Sequence, residues 1–212
     1  MIPVKVLAVR YLANASPALC RGLGAPEGYP SLGLITTDCD DATYIALDAA
    51  TKAAEVAVAY GRSFYGGSAN ASTPNAGEVI GILAGQTPGA VRSGMEAVLA
   101  ALQRVGFEQT CGVSYLAHTV SSVGSFLAGE AGVAKGRAIA YLIAPPLESM
   151  YALDAALKAA DVTLCKLYSP PSQTNFGGGL LSGTQSACDA ACAAFAEAVA
   201  EVARRPNYNL PI

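Results

Sequence analysis

Residues 46–56, Ala-Leu-Asp-Ala-Ala-Thr-Lys-Ala-Ala-Glu-Val, return at 152–162 as Ala-Leu-Asp-Ala-Ala-Leu-Lys-Ala-Ala-Asp-Val, altered only at Thr51/Leu157 and Glu55/Asp161. The offset is 106 in a chain of 212 residues, so one unit is written twice. Such a chain folds as two similar domains rather than one large one. The repeat also works as an internal control. A feature present in both copies serves fold or assembly, and a feature present in one copy is a candidate for a special task.

Charged residues make up 14% of the chain, against roughly 25% in ordinary soluble proteins. No apolar run approaches the roughly 20 residues that a membrane helix needs, so no membrane partner is expected. The opening Met1-Ile2-Pro3-Val4-Lys5 lacks the basic region, apolar stretch and small-residue cleavage site of an export signal. A protein this poor in charge is expected to bury much of its exterior against other copies or other proteins. The formal charge of −3 excludes nucleic acid, which requires a clustered basic face. Six cysteines form no Cys-x-x-Cys pair. Cys188 and Cys192 lie four apart on one helix face, but His118 is the single histidine, so no metal site is expected.

Alternation and run length predict strands at 4–9, 32–35, 56–60 and 79–83, with helices at 44–54 and 88–104. The second copy repeats the order, with strands at 114–120, 139–143, 162–168 and 180–181 and helices at 149–160 and 185–203. Along the last helix Cys188, Cys192, Phe195, Val199 and Val202 form one stripe. Each half reads as strand-strand-helix-strand-strand-helix, an α/β (α+β) layered domain with helices over a mainly antiparallel sheet. The boundary falls between Gly106 and Gly112, giving domains 1–108 and 109–212. Two long segments of small residues, 63–77 and 169–179, occupy equivalent places. Neither is followed by Gly-Lys-Ser/Thr, which excludes a phosphate-binding loop, and loops of this length in compact domains usually carry function.

Asp38, Asp40 and Asp41 stand just before the first long helix, whose start is expected at Thr43 or Tyr44. One acid suffices to cap a helix. Their partners in the second copy are Ala144, Pro146 and Leu147, so the acids are not required by the fold and would suit a cationic ligand. Glu78 opens the strand after the first long segment, whereas the second segment ends in Gly178 and Gly179. The pairs Asp48/Lys52 and Asp154/Lys158 occur in both copies with the acid first, the favourable helix orientation, and read as structural. His118 lies in an alternating stretch with serines following, but no nucleophile elbow or orienting acid accompanies it, so it reads as a strand histidine.

The strings Ser31-Leu32-Gly33-Leu34-Ile35, Asp38-Cys39-Asp40-Asp41-Ala42-Thr43-Tyr44, Tyr60-Gly61-Arg62-Ser63, Ala76-Gly77-Glu78-Val79, Ala144-Pro145-Pro146-Leu147-Glu148 and Gly183-Thr184-Gln185-Ser186-Ala187-Cys188 resemble one family. It is the tandem-domain shell proteins of ethanolamine-utilisation bacterial microcompartments, and the likeness runs from about residue 4 to residue 205. The resemblance implies two circularly permuted microcompartment domains with ferredoxin-like sheets. It implies a homotrimer forming a pseudo-hexameric tile, which packs with other shell proteins in a cytoplasmic microcompartment shell. It implies a gated central pore bordered by segments 64–76 and 173–180, with Tyr65, Gly66, Gly67, Ser68, Ala69, Asn70, Thr174, Asn175, Phe176 and Gly177 at the opening. Glycine there would permit two backbone conformations of a gate. Asn70 stands where some relatives carry histidine.

The same resemblance implies a small pore in each subunit where ethanolamine meets Asp40, Asp41, Glu78 and Phe107. It places Lys52 and Lys158 on tile edges. It implies no catalysis and no required cofactor, with cobalamin as a group that passes through or docks near the axis. Two other readings stay open at this point: a tandem shell protein of a diol or ethanol microcompartment, and a ferredoxin-like small-molecule-binding regulator.

Overall fold

The computed structural model describes residues 1–63, 79–170 and 176–207. The chain divides into two compact units. The first contains Pro3–Gly106 together with Gly124–Gly129. The second contains Met1–Ile2, Phe107–Val123 and Glu130–Ile212. The first half of the chain runs β1 (Val6–Leu12), α1 (Pro17–Gly22), β2 (Ser31–Thr37), α2 (Asp40–Ala53), β3 (Val56–Ser63), β4 (Val79–Gly85) and α3 (Pro88–Leu102). The second half runs β5 (Glu108–Thr110), β6 (Val113–Val120), α4 (Ser125–Ala131), β7 (Ala138–Ala144), α5 (Pro146–Ala159), β8 (Val162–Tyr168), β9 (Gly177–Gly183) and α6 (Gln185–Arg204).

Both sheets are antiparallel, ordered β1-β2-β4-β3 and β5-β6-β7-β9-β8. Apart from the short extra edge strand β5, the second order repeats the first. The duplication extends to irregularities. The β3/β4 register shifts between Val58 and Tyr60, and β8/β9 shifts between Leu164 and Lys166, each 106 residues later. Helices α3 and α6 begin alike, with the Thr87 and Thr184 side chains accepting from the backbone N–H of Ala90 and Ala187, a standard N-cap.

In the first unit, alternation along β2 splits the sheet's two faces. Leu32 and Leu34 join Ile82, Ala84, Cys20 and Leu23 in a cluster on the side of α1. Gly33 instead faces α3: a Cβ there would lie 2.7 Å from Val91 and 3.0 Å from Met95, so the bare backbone lets the helix seat closely. In the second unit Ala138, Ala140, Leu142 and Ala144 of β7 pack with Leu153 of α5 and with Cys188, Ala191, Phe195, Ala198 and Val199 of α6. A fully buried Leu, Val or Phe of this cluster contributes about 1.5–3 kcal/mol.

The structure departs from the sequence reading in four respects. α1, α4 and β5 were not expected; both helices span at most two turns and carry no amphipathic period. α2 begins at Asp40 rather than Thr43, so Asp40 and Asp41 are its first turn rather than the residues before it. β9 begins at Gly177 and pairs with Ala144, so residues 177–180, read as part of a pore segment, are strand. On α6 the buried stripe runs through Ala191 and Ala198, while Cys192 is only half-buried. Among the described residues no helix is long and apolar enough to cross a membrane.

Candidate functional site

β2 delivers the chain to α2 through Asp38 and Cys39, and the hydrogen bonds there assign a task to each polar group. The Asp38 carboxylate accepts from the Lys5 N–H at 2.8 Å, and the Asp38 N–H donates to the Lys5 carbonyl. Asp38 therefore ties the edge strand to β2 and is removed from the acidic ligand set. Cys39 is the N-cap residue in extended conformation, with no side-chain cap. The Thr43 hydroxyl donates to its carbonyl at 2.7 Å, and the Cys39 N–H donates to the Thr37 hydroxyl at 3.2 Å. The turn is held by two threonines.

Asp40 and Asp41 are both 7% exposed. One Asp40 carboxylate oxygen accepts from the Asp41 N–H at 2.9 Å, and the Ser63 hydroxyl at the end of β3 also bonds this carboxyl. Burial pushes the Asp40 pKa above its ordinary value of 3.8, against these hydrogen bonds. Tyr44, one turn further along α2, shares a hydrogen bond with Ser63, and burial pushes its hydroxyl up to about 12. Burial likewise drives the Cys39 thiol upward, reinforced by the neighbouring acids. It is a neutral thiol and no nucleophile. The result is a small polar cluster of Asp40, Asp41, Tyr44 and Ser63 in which two adjacent carboxyls are withdrawn from bulk water. Among the described residues Asp40 forms no ion pair. Such a site is complementary to a small cation that donates hydrogen bonds. Sequence reading missed Tyr44 and Ser63 as members of this cluster, although both lie within the strings that carry the family resemblance.

The other expected site residues are distributed as follows. Glu78, Tyr65, Gly66, Gly67, Ser68, Ala69, Asn70, Thr174 and Asn175 lie outside the described residues. Phe107 belongs to the second unit, where its carbonyl accepts from the Ile2 N–H and its ring lies 5.8 Å from that of Phe176. Sequence reading had assigned those two aromatics to different openings. Gly177 is buried at the head of β9, where a Cβ would meet the Ser149 hydroxyl at 2.8 Å. Lys52 is paired at 3.3 Å with Asp48, whose side chain is fully buried, whereas Lys158 and Asp154 form an exposed pair at 2.6 Å. The two lysines, equivalent in sequence, are thus unequal in the fold. His118 sits in β6 opposite Tyr141. Cys188 is core, and Cys192 lies 3.4 Å from the Thr119 hydroxyl with its thiol pushed up to about 11 by burial.

The duplicated β-α-β-α-β-β-α order now finds its class. Residues 31–119 match the BMC domain, a stretch running from β2 through α3 into β6. The counterpart of β6 in the first sheet is β1, so a strand that closes the family's domain opens this chain, as a circular permutation requires. The fold is that of a tandem, permuted bacterial microcompartment shell protein. The chain is 56% identical over 210 residues to the bacterial microcompartment shell protein EutL of Clostridium perfringens (strain 13 / Type A), covering 97% of each. It is 47% identical to EutL of Escherichia coli (strain K12), covering 97% of this chain and 96% of that protein. The crystal structure of ethanolamine utilization protein EutL from Leptotrichia buccalis C-1013-b matches it with a TM-score of 0.94 at 55% identity, covering 97% of each. The chain belongs to the EutL family of bacterial microcompartment shell proteins and is a structural component, not an enzyme. Full-length identity at this level displaces the regulator reading and the diol or ethanol shell reading.

Proposed function

We propose that three copies of this chain close into a pseudo-hexameric shell tile, and that each copy binds ethanolamine at its buried acidic pair. The observation that carries the binding reading is the Asp40/Asp41 pair itself, which has no counterpart in α5. Resemblance to the family adds Glu78 and Phe107 to the set. An ammonium group answers two adjacent carboxylates, and its hydroxyl finds further acceptors and donors among Ser63 and Tyr44. Segments 64–76 and 173–176, including Tyr65–Asn70, Thr174, Asn175 and Phe176, form the gate of the central pore, through which metabolites or cobalamin pass. Ethanolamine would bias that gate only through different affinities for its two states.

Isothermal titration tests the binding site. Asp40→Asn, Asp41→Asn and Glu78→Gln should each weaken ethanolamine at least about tenfold, the value of one charge-assisted hydrogen bond. No heat with the unaltered protein, or unchanged affinity in all three variants, would sink the proposal. The pH dependence has a definite sign. Asp40 binds its proton more tightly folded than unfolded, because burial raises its pKa. Its contribution to stability is therefore present below 3.8 and is lost as pH rises through the raised folded value. At neutral pH the ionised group costs stability, and a bound ammonium offsets that cost. Asp40→Asn should accordingly raise the melting temperature at pH 7 while abolishing tight binding. Ethanolamine affinity should begin to fall on acidification at a pH above 3.8.

The tile-edge reading rests now on Lys158 more than on Lys52, because an acid at position 52 would sit beside buried Asp48. Lys158→Ala is expected to leave the trimer intact and to abolish two-dimensional arrays in electron micrographs. Ordinary arrays from that variant would remove Lys158 from the edge.

A further inference from the structure

The repeat continues through the short helices. Gly24 and Gly28 adopt positive φ, and so do Gly132 and Gly136, 108 residues later. The Ala15 N–H donates to the Pro30 carbonyl as the Val123 N–H does to Arg137, and Cys20 N–H to Ser16 as Ala128 to Gly124. α1 and α4 are therefore counterparts, as are α2 and α5, yet their surroundings differ. Within the first unit, Asp48 of α2 accepts from the Gly124 N–H at 2.7 Å and the Leu127 N–H at 2.9 Å. Thr51 accepts from the Ser125 N–H at 3.0 Å. The Phe126 ring packs on Tyr44 and lies 3.6 Å from where a Cβ on Gly61 would stand. Among the described residues the counterparts of these groups have no such cover. Asp154 is 63% exposed where Asp48 is 0%. Leu19 is 45% exposed where Leu127 is 1%, and Leu167, in the place of Gly61, is 47% exposed.

We infer that α1 of one copy docks on α5 of a second copy, in the manner that Gly124–Gly129 docks on α2. This rests on the trimer reading above and supplies its contact. Two changes between the repeats are coordinated across the two faces, which unrelated surfaces would not require. Phe126 over Gly61 becomes Ala18 over Leu167, large on small exchanged for small on large. The Ser125 donor and Thr51 acceptor become Pro17, which has no N–H, and Leu157, which has no acceptor, so both halves of one hydrogen bond disappear together. Asp154 remains an acid facing the α1 N-terminus, where Ser16 makes no side-chain cap, so the charge is complementary to the free amides of that first turn. The side of α1 bearing Cys20 and Leu23 is already packed on its own sheet, leaving Ala18 and Leu19 for the neighbour.

Sedimentation of the full chain tests this. Leu19→Glu sets an anion against Asp154 and should raise the trimer dissociation constant at least 100-fold, with an unchanged circular-dichroism spectrum because Leu19 is exposed in the single chain. Ala18→Phe should weaken the trimer at least tenfold through collision with Leu167. Adding Leu167→Gly should restore it to within about threefold, since the pair then copies Phe126 and Gly61. Trimers of unaltered affinity in Leu19→Glu and Ala18→Phe would overturn the docking while leaving the tile reading in place. A single-chain mass for the unaltered protein at all concentrations would overturn the tile reading itself.

Discussion

Asp48→Ala is expected to cost about 3–5 kcal/mol of stability, the loss typical of removing one partner from a buried charged network. The equivalent change in the second copy, Asp154→Ala, should alter the stability of the single chain by less than about 1 kcal/mol. Asp48 has no exposed side-chain surface and accepts from two backbone amides, Gly124 and Leu127, besides pairing with Lys52. Those amides stand at the entrance to α4, where a helix has unsatisfied N–H groups. Gly124 is required for the approach: a Cβ on it would lie 2.1 Å from the Thr51 hydroxyl and 2.8 Å from the Asp48 carbonyl. Alanine at 48 thus leaves two buried donors without their acceptor. Asparagine, with one carbonyl oxygen, should fall between. Urea unfolding compares the variants, and hydrogen exchange at Gly124 and Leu127 reports whether local protection is lost. At concentrations where the protein is a single chain, equal midpoints for Asp48→Ala and Asp154→Ala would refute the buried role.

Much of this architecture was legible because two copies constrain each other. The string around Asp48 and Asp154 located α2 and α5 and thereby two domains, and the alternation of the flanking runs found the eight long strands within a few residues. What escaped has a physical reason in each case. Ser16-Pro17 and the glycines at 24, 28, 132 and 136 mark α1 and α4, yet helices so short bury no periodic face of their own. Asp40 and Asp41 looked like residues before a helix because an apolar period starts only after them, although acids suit a first turn. That the acids belong to one copy alone did follow from sequence, because the second copy has Pro146 and Leu147 in their place. The inequality of Asp48 and Asp154 did not follow, because it depends on which helix lies across each. Residues 171–175, like most of the expected gate, lie outside the described part of the chain.

Gly178→Ala is expected to be more damaging than any other single methyl addition in the second sheet, with a loss of at least about 4 kcal/mol, in the range that marks a distinct mechanism. The sequence suggested that Gly177, Gly178 and Gly179 serve a movable gate, whereas the strand geometry gives them a packing role. Gly178 has φ +155, and a Cβ on it would lie 1.9 Å from the Leu142 carbonyl oxygen and 2.9 Å from its carbon. Both neighbours are backbone of the adjacent strand, which cannot rotate away as a side chain could. The first copy shows that the ladder position alone does not demand glycine. Gly178 pairs with Ile143 and Tyr168, while its counterpart Ile80 pairs with Thr36 and Arg62. Ile80→Ala should therefore fall in the ordinary range of about 0.5–3 kcal/mol. Gly179 is shared with Gly81 of the first copy, but its obstruction is milder, 2.6 Å to the Lys166 carbonyl, so Gly179→Ala should be intermediate. Thermal melts of the three variants give the order directly. A soluble Gly178→Ala protein melting near Ile80→Ala would show that β7 and β9 can separate to admit a methyl, and the close backbone approach would then not be what selects glycine at the head of β9.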